Sequence, residues 1–281
     1  MEPFTIAYYI FNKGPFVKNI VNSARLYEGL PLLFLFDGCT DDSVQQFMSC
    51  RPKLKNCRVF TNNSNDLFET FSNNFLLETF ETDYCVLCQD DMLARNTNYL
   101  EIALKIQLED KNAGLIGFKD GYEMSIVNKY QDMISASWSL SKNRKDVLTA
   151  GKFVMRSFVN RGPLVVSRKV ITKIGLFDTR FYPMFWDDND YCLRAKIAGL
   201  NNYVADSDIQ SKPEWGATRG FSKVPCEKIF LANLVTFGWK WKMPLPHLNL
   251  SKVFCALLVG KYFKGKGQIS RLLKSSKPKE L

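Results

Sequence analysis

From the N-terminus the chain alternates between short apolar runs and segments whose apolar residues return every three or four positions. Residues 4–10, FTIAYYI, predict a buried first strand. The next segment opens on Pro15 and sets Val17, Ile20, Val21 and Ala24 at i, i+3, i+4 and i+7 before Gly29, which predicts a helix with one buried face. Residues 30–36 predict a second strand, running into Asp37-Gly38-Cys39-Thr40-Asp41-Asp42, where Thr40 or Asp41 is placed to cap a helix through Met48. A short strand over 57–61 and a helix over 66–81 follow, with Leu67, Phe68, Phe71, Phe75 and Leu76 on one side. The run YCVLC then enters Gln89-Asp90-Asp91, Asn96 or Thr97 caps a helix over 99–109, and residues 114–118 predict a further strand. Strand alternating with helix is the pattern of a parallel sheet wound by right-handed crossovers.

The second half is less regular. Residues 119–158 mix polar residues with Trp138 and several Met and Tyr, and read equally as an acceptor-side loop or an irregular connection. Gly162 precedes an apolar strand within residues 160–167, a short helix over 168–174 stops at Gly175, and an aromatic run contains Phe181, Tyr182, Phe185 and Trp186. Asp187-Asp188-Asn189-Asp190 then open a helix that ends at Gly199. Carboxylates in a first turn are favoured by the helix dipole, and Asp190 with Arg194 at i+4 predicts a structural ion pair. Asp187 and Asp188 are not explained so simply, because three acids in four residues repel one another unless a cation or a proton is shared.

Composition adds scale and polarity. With 281 residues and 46% hydrophobic content, the chain can bury one large core with an appendage. Its net charge of +10 is uneven: residues 222–281 hold twelve Lys or Arg against Glu227 and Glu280, so the first 221 residues are neutral. Attraction to phosphate-rich surfaces therefore belongs to the tail. The start lacks a secretory leader pattern, and no uninterrupted apolar run approaches the roughly 20 residues needed to span a bilayer, so the expectation is a cytoplasmic protein. In that reducing setting the eight cysteines should be free, and Cys85-x-x-Cys88, a lone pair within a strand, reads as core.

The candidate chemistry lies at Gln89-Asp90-Asp91. Ligands of open α/β sheets bind outside the carboxyl ends of the strands. Two adjacent acids there can hold a hard divalent cation, with substrate phosphates completing its octahedron, which points to a nucleoside diphosphate.

Taken together, FNK after strand one, FDGCTDDS after strand two, QDD, and NRGPLVVSRKVITKIGLFDTRFYPMFWDDNDYCLRAKIAGL resemble a family 2 glycosyltransferase of the GT-A fold over most of residues 4–203. The resemblance implies a Rossmann-like α/β fold: a mixed, mostly parallel sheet flanked by helices. Residues 1–221 would be the catalytic domain, with a nucleotide-binding half over 1–118 and an acceptor half over 119–221, and residues 222–281 a basic helical appendage. It implies transfer of a sugar from a nucleotide-diphosphate sugar to an acceptor hydroxyl in surface glycan or polysaccharide synthesis, with Mn²⁺ or Mg²⁺ and inversion at the anomeric carbon. Carried over by position, Asp37 contacts nucleobase or ribose, Asn74 lines the nucleotide pocket, Asp90 lies near ribose or diphosphate, and Asp91 ligates the metal. Asp188 becomes the base with Asp187 beside it, and Gly162 leaves room for donor sugar or acceptor. Two departures stand out. Gln89 replaces the first acid of the usual triad, and no His follows the base helix, leaving Gln210, Glu214 or water for that role; the only His is His247.

Residues 228–241 and 251–263 are apolar, aromatic and flanked by Lys, which predicts helices lying on the cytoplasmic face of an anionic membrane, or else helices packed on the catalytic core with only residues 264–281 as a solvated basic tail; the resemblance implies a glycan or lipid-linked glycan as acceptor. Two other classes compete. A nucleotidyltransferase would carry a basic Gly-rich loop near strand one, of which Phe11-Asn12-Lys13-Gly14 is a poor version. Nucleic-acid binding would need an extended basic face, which the neutral remainder lacks, so no nucleic-acid partner is expected.

Overall fold

The computed structural model describes residues 3–63, 67–118, 121–122, 151–216, 225–242, 250–273 and 278–281. In chain order the first half is β1 Phe4–Ile10, α1 Val17–Ala24, β2 Leu32–Asp37, α2 Ser43–Cys50, β3 Cys57–Asn62, α3 Phe68–Thr79, β4 Tyr84–Cys88, β5 Met92–Ala94, α4 Asn98–Glu109 and β6 Ala113–Gly117. The second is β7 Gly121–Tyr122, β8 Phe153–Met155, β9 Phe158–Val159, β10 Leu164–Ser167, α5 Arg168–Ile174, α6 Asp187–Ile197, β11 Asn201–Ala205, β12 Ile209–Ser211, α7 Cys226–Trp241, α8 Leu250–Leu273 and β13 Lys279–Glu280.

Nine strands form one sheet in the order β13-β3-β2-β1-β4-β10-β6-β11-β8. The strands β3, β2, β1, β4, β6 and β11 run one way, while β10, β8 and β13 run against them. Successive side chains of a strand point to opposite faces, and here both faces are covered. Ala7, Leu33, Leu35, Cys85 and Leu87 meet α3, α5, α6 and α7 on one side. Ile6, Tyr8, Phe34, Phe36, Val86 and Cys88 meet α1, α2 and α4 on the other. That two-sided burial is why the strands read as continuous apolar runs. It also separates Cys85 from Cys88, which enter opposite cores. None of the eight cysteines forms a disulfide, and burial pushes the Cys88 thiol up to about 12.

Local details differ from the sequence expectation at two helix starts. Neither Thr40 nor Asp41 caps α2. Asp42 occupies that position without a side-chain bond to a helix amide, its Oδ2 accepting from Gln46 Nε2 instead, and Asp41 Oδ1 accepts from the Ser43 amide at 3.1 Å. The Ser43 hydroxyl instead accepts from the amides of Lys13 and Gly14, tying the end of β1 to α2. Before α4, Thr97 holds the cap position with no side-chain bond, while Asn96 Oδ1 accepts from the Asn98 amide.

Of the two apolar C-terminal segments, the first packs one face on the core. Leu234 and Phe237 of α7 join the cluster beneath α6. Buried Asn233 donates to the carbonyls of Phe181 and Met184, both at 2.7 Å. Lys240 reaches Asp178 and Asp190, and Trp241 Nε1 donates to Asp190 Oδ1. The chain finally returns to the sheet edge, where β13 pairs with β3 and Arg58 bonds both oxygens of Glu280. Among the described residues no helix is long and apolar enough to cross a membrane.

Candidate active site

Because β1, β2, β3 and β4 are parallel, their carboxyl ends bring residues 11–13, Asp37, Asn62 and residues 89–91 to one edge of the sheet. Antiparallel β10 brings its amino end to the same edge, since Leu164 pairs with Leu87, and this delivers Arg161 and Gly162. Motifs from the two halves of the chain are thereby joined through one strand inserted between β4 and β6.

Asp37 is buried at the end of β2. Its Oδ1 accepts from Asn62 Nδ2 at 2.6 Å and its Oδ2 from the Phe68 amide at 2.9 Å, so it fixes β3 and the start of α3 around the strand end. Asp90 accepts from the Phe11 amide at 3.0 Å and pairs with buried Lys13 at 3.1 Å. Burial lifts the Asp90 carboxyl to about 6, against the pull of Lys13 and the Phe11 amide. Lys13 also donates to the Trp215 carbonyl, so a poor Gly-rich loop proves to be a clasp between β1, β4 and the segment after β12.

Asp91 is half-buried, and its Oδ1 lies out of solvent with no hydrogen-bond partner. Leaving an ionised oxygen in that state is costly, and a cation would relieve it. Among the described residues no three His, Cys, Asp or Glu side chains converge, so Asp91 fits a metal only as one ligand beside phosphate and water oxygens, as Mg²⁺ is commonly held. Glu214 is exposed and the Gln210 amide faces Arg95. Gln89 Nε2 donates to Glu69 Oε1 at 3.4 Å.

That contact opens a chain of buried bonds. Arg161 donates from Nη2 to Glu69 Oε2 at 2.8 Å, and to both oxygens of Asp187 at 2.8 and 2.9 Å. The Thr70 hydroxyl adds a bond to Asp187 Oδ2 at 3.2 Å. Burial pushes the Asp187 carboxyl up, Asp188 and Glu69 add repulsion, and Arg161 opposes both. Tyr9 lies among the same charges: burial and the carboxylates of Glu69, Asp90 and Asp37 raise its phenol well above its ordinary value, while Arg161 lowers it.

The three acids of α6 are thus sorted by partner. Asp187 belongs to Arg161. Asp190 belongs to Arg194 at 2.9 Å, the pair expected from i,i+4 spacing, and also to Lys240 and Trp241. Asp188, half-buried in the first turn, accepts from the Asn189 amide and forms no direct ion pair among the described residues, acting on Arg161 only at a distance. Phe185 and Trp186 enter the helix with φ of 71° and 66°. Two successive left-handed non-glycine residues are strained, and such strain persists only where the surroundings enforce it.

Asn74 and Gly162 are occupied differently from the roles the resemblance implies. The Asn74 amide exchanges two bonds of 2.9 Å with the backbone of Phe177, tying α3 to the loop before α6. A Cβ on Gly162 would lie 2.6 Å from Met92 Sδ and 2.7 Å from Gln89 Oε1, and its φ is 107°. The glycine therefore allows its loop to close on the end of β4. Glu69, Lys13 and Arg161 were not singled out by sequence reasoning. Glu69 looked like an ordinary polar position of an amphipathic helix, and the only available signal for Arg161 was its place beside Gly162.

No protein-family model matches the sequence, and no curated protein matches it. Solved structures do. The chain is similar to "Mannosyltransferase PcManGT from Pyrobaculum calidifontis in complex with GDP-Man and Mn2+", at 13% identity and TM-score 0.56 over 98% of this chain and 76% of that one. It is also similar to S. aureus TarS 1-349 in complex with UDP-GlcNAc, at 14% identity and TM-score 0.54 over 91% and 70%. At such identities the likeness establishes the fold: a mixed α/β architecture with a mostly parallel sheet flanked by helices, shared with a glycosyltransferase.

Proposed function

We propose that this protein is a glycosyltransferase that moves a sugar from a nucleotide-diphosphate sugar to an acceptor hydroxyl with inversion, the acceptor being a glycan or lipid-linked glycan. The observation that carries the reading is the bonded path Gln89–Glu69–Arg161–Asp187, which joins the strand end bearing Asp91 to the helix start bearing Asp188.

In this reading Asp37 and Asn62 shape the nucleoside end of the cleft. Asp90 holds Lys13 and the Phe11 amide beside the diphosphate. Asp91 Oδ1 is the ligand offered to Mn²⁺ or Mg²⁺, which when bound neutralises charge on the departing diphosphate as a Lewis acid. Asn74 and Gly162 act one step back, by holding α3 and the loop before β10 in place. Asp188 accepts the proton of the acceptor hydroxyl as its oxygen bonds to the anomeric carbon. The bond from that carbon to the phosphate oxygen breaks, and the nucleoside diphosphate leaves with the electron pair. Asp187 keeps Arg161 and the helix start fixed and does not itself take the proton.

Two of the similar structures carry nucleotide sugars, GDP-Man with Mn²⁺ in one and UDP-GlcNAc in the other, which supports the donor class. The test is a panel of nucleotide sugars with and without Mn²⁺, read by thermal shift and by release of nucleoside diphosphate. At least one donor should raise the melting temperature and be slowly hydrolysed. A panel in which no donor does either would defeat the reading.

A further inference from the structure

Helix α8 is amphipathic in an inverted sense. Its small residues face the protein: Ala256 is fully buried, and Gly260 lies so close to α7 that a Cβ there would sit 2.8 Å from Ala232 Cβ. Its large apolar residues face away, with Phe254 63%, Leu258 53% and Tyr262 66% exposed. These three are spaced i, i+4 and i+8, so they form one outward stripe. Trp239 on α7 is another large outward side chain, 65% exposed.

Along the sequence, the charge of this region has one sign. Residues 228–279 contain eleven Lys or Arg and no Asp or Glu, and Lys252 and Lys261 are exposed on α8 itself. Apolar side chains bordered by lysines match the two layers of a lipid headgroup region, acyl chain boundary and anionic phosphate. A second copy of this chain would bring the same lysines together, and like charge opposes that pairing. Since no described helix can cross a bilayer, the contact would lie in the membrane plane.

We infer that the Phe254-Leu258-Tyr262 stripe of α8, with its flanking lysines, is a docking surface for an anionic membrane. The surface is separate from the sheet edge that carries the proposed chemistry. Its failure would therefore leave the glycosyltransferase reading untouched, and the converse also holds.

The test is co-sedimentation of the full chain with vesicles of phosphatidylcholine alone or mixed equally with phosphatidylglycerol. The protein should pellet with the mixed vesicles only, and less as salt is raised. The triple variant Phe254→Ser, Leu258→Ser, Tyr262→Ser should lower the partition about ten-fold or more while keeping the wild-type melting temperature. Lys252→Gln with Lys261→Gln should weaken binding to the mixed vesicles alone. Three results would overturn the inference: no pelleting with mixed vesicles, equal pelleting of wild type and triple variant, or a triple variant that merely converts a dimer into a monomer.

Discussion

Arg161→Met is expected to cost about 3–5 kcal/mol of stability and to lower the melting temperature by about 10 °C. The side chain is buried and satisfies two carboxylates at once, Asp187 in a two-bond fork and Glu69 with one bond. Removing it leaves both acids in a low-dielectric interior without a counter-charge, and that state is far worse than removing the whole group. Arg161→Met combined with Asp187→Leu should accordingly be less destabilised than the single variant. The loss has a pH signature. Burial already raises the Asp187 carboxyl, and without Arg161 it rises further. Between its unfolded and folded pKa values the native state then holds more protons than the unfolded chain, so stability falls as pH rises through that window. The penalty should be larger at pH 8 than at pH 5, measured by chemical denaturation at both. A variant as stable as wild type at pH 8 would mean that the ion cluster does not organise the site.

Asp188→Asn is expected to leave folding intact and to reduce transfer by about 10² to 10⁴-fold, the usual range for a general base. Asp188 is half-buried and acts on Arg161 only at a distance, and Arg161 keeps Asp187 and Glu69, so the neutral isostere strands no buried charge. Donor affinity should stay near wild type, because the proton is taken from the acceptor. Asp187→Asn should behave in the opposite order, with stability falling because Arg161 loses half of its carboxylate partners. Full transfer activity in Asp188→Asn would remove it as the base.

The contrast between these neighbours shows where a sequence stops being readable. DDND announces repulsion within one helical turn, but the cations that resolve it come from residues 161, 194 and 240, and only Arg194 lies within helical reach. Residues 4–10 and 84–88 were legible as strands because both their faces are buried. LVVS in β10 has the same composition, yet it runs antiparallel, since an apolar run encodes burial and not direction. Asp91 could be picked out because it ends such a run. Glu69 could not, because its meaning depends on Gln89 and Arg161, 20 and 92 residues away. Lys240 reads as a flank of a membrane-facing helix, yet it is tied to two aspartates beneath α6, and residues 279–280, at the end of the basic tail, close the sheet edge.

The central claim is that the orphaned oxygen of Asp91 and the carboxylate of Asp188 serve one nucleotide-sugar cleft. Calorimetric titration of UDP and GDP into wild type and Asp91→Asn, each with and without Mn²⁺, tests it most directly. The account predicts that wild type binds at least one of them more tightly when Mn²⁺ is present, and that Asp91→Asn abolishes the cation's contribution while remaining folded. Cation-dependent binding that survives unchanged in Asp91→Asn would contradict it.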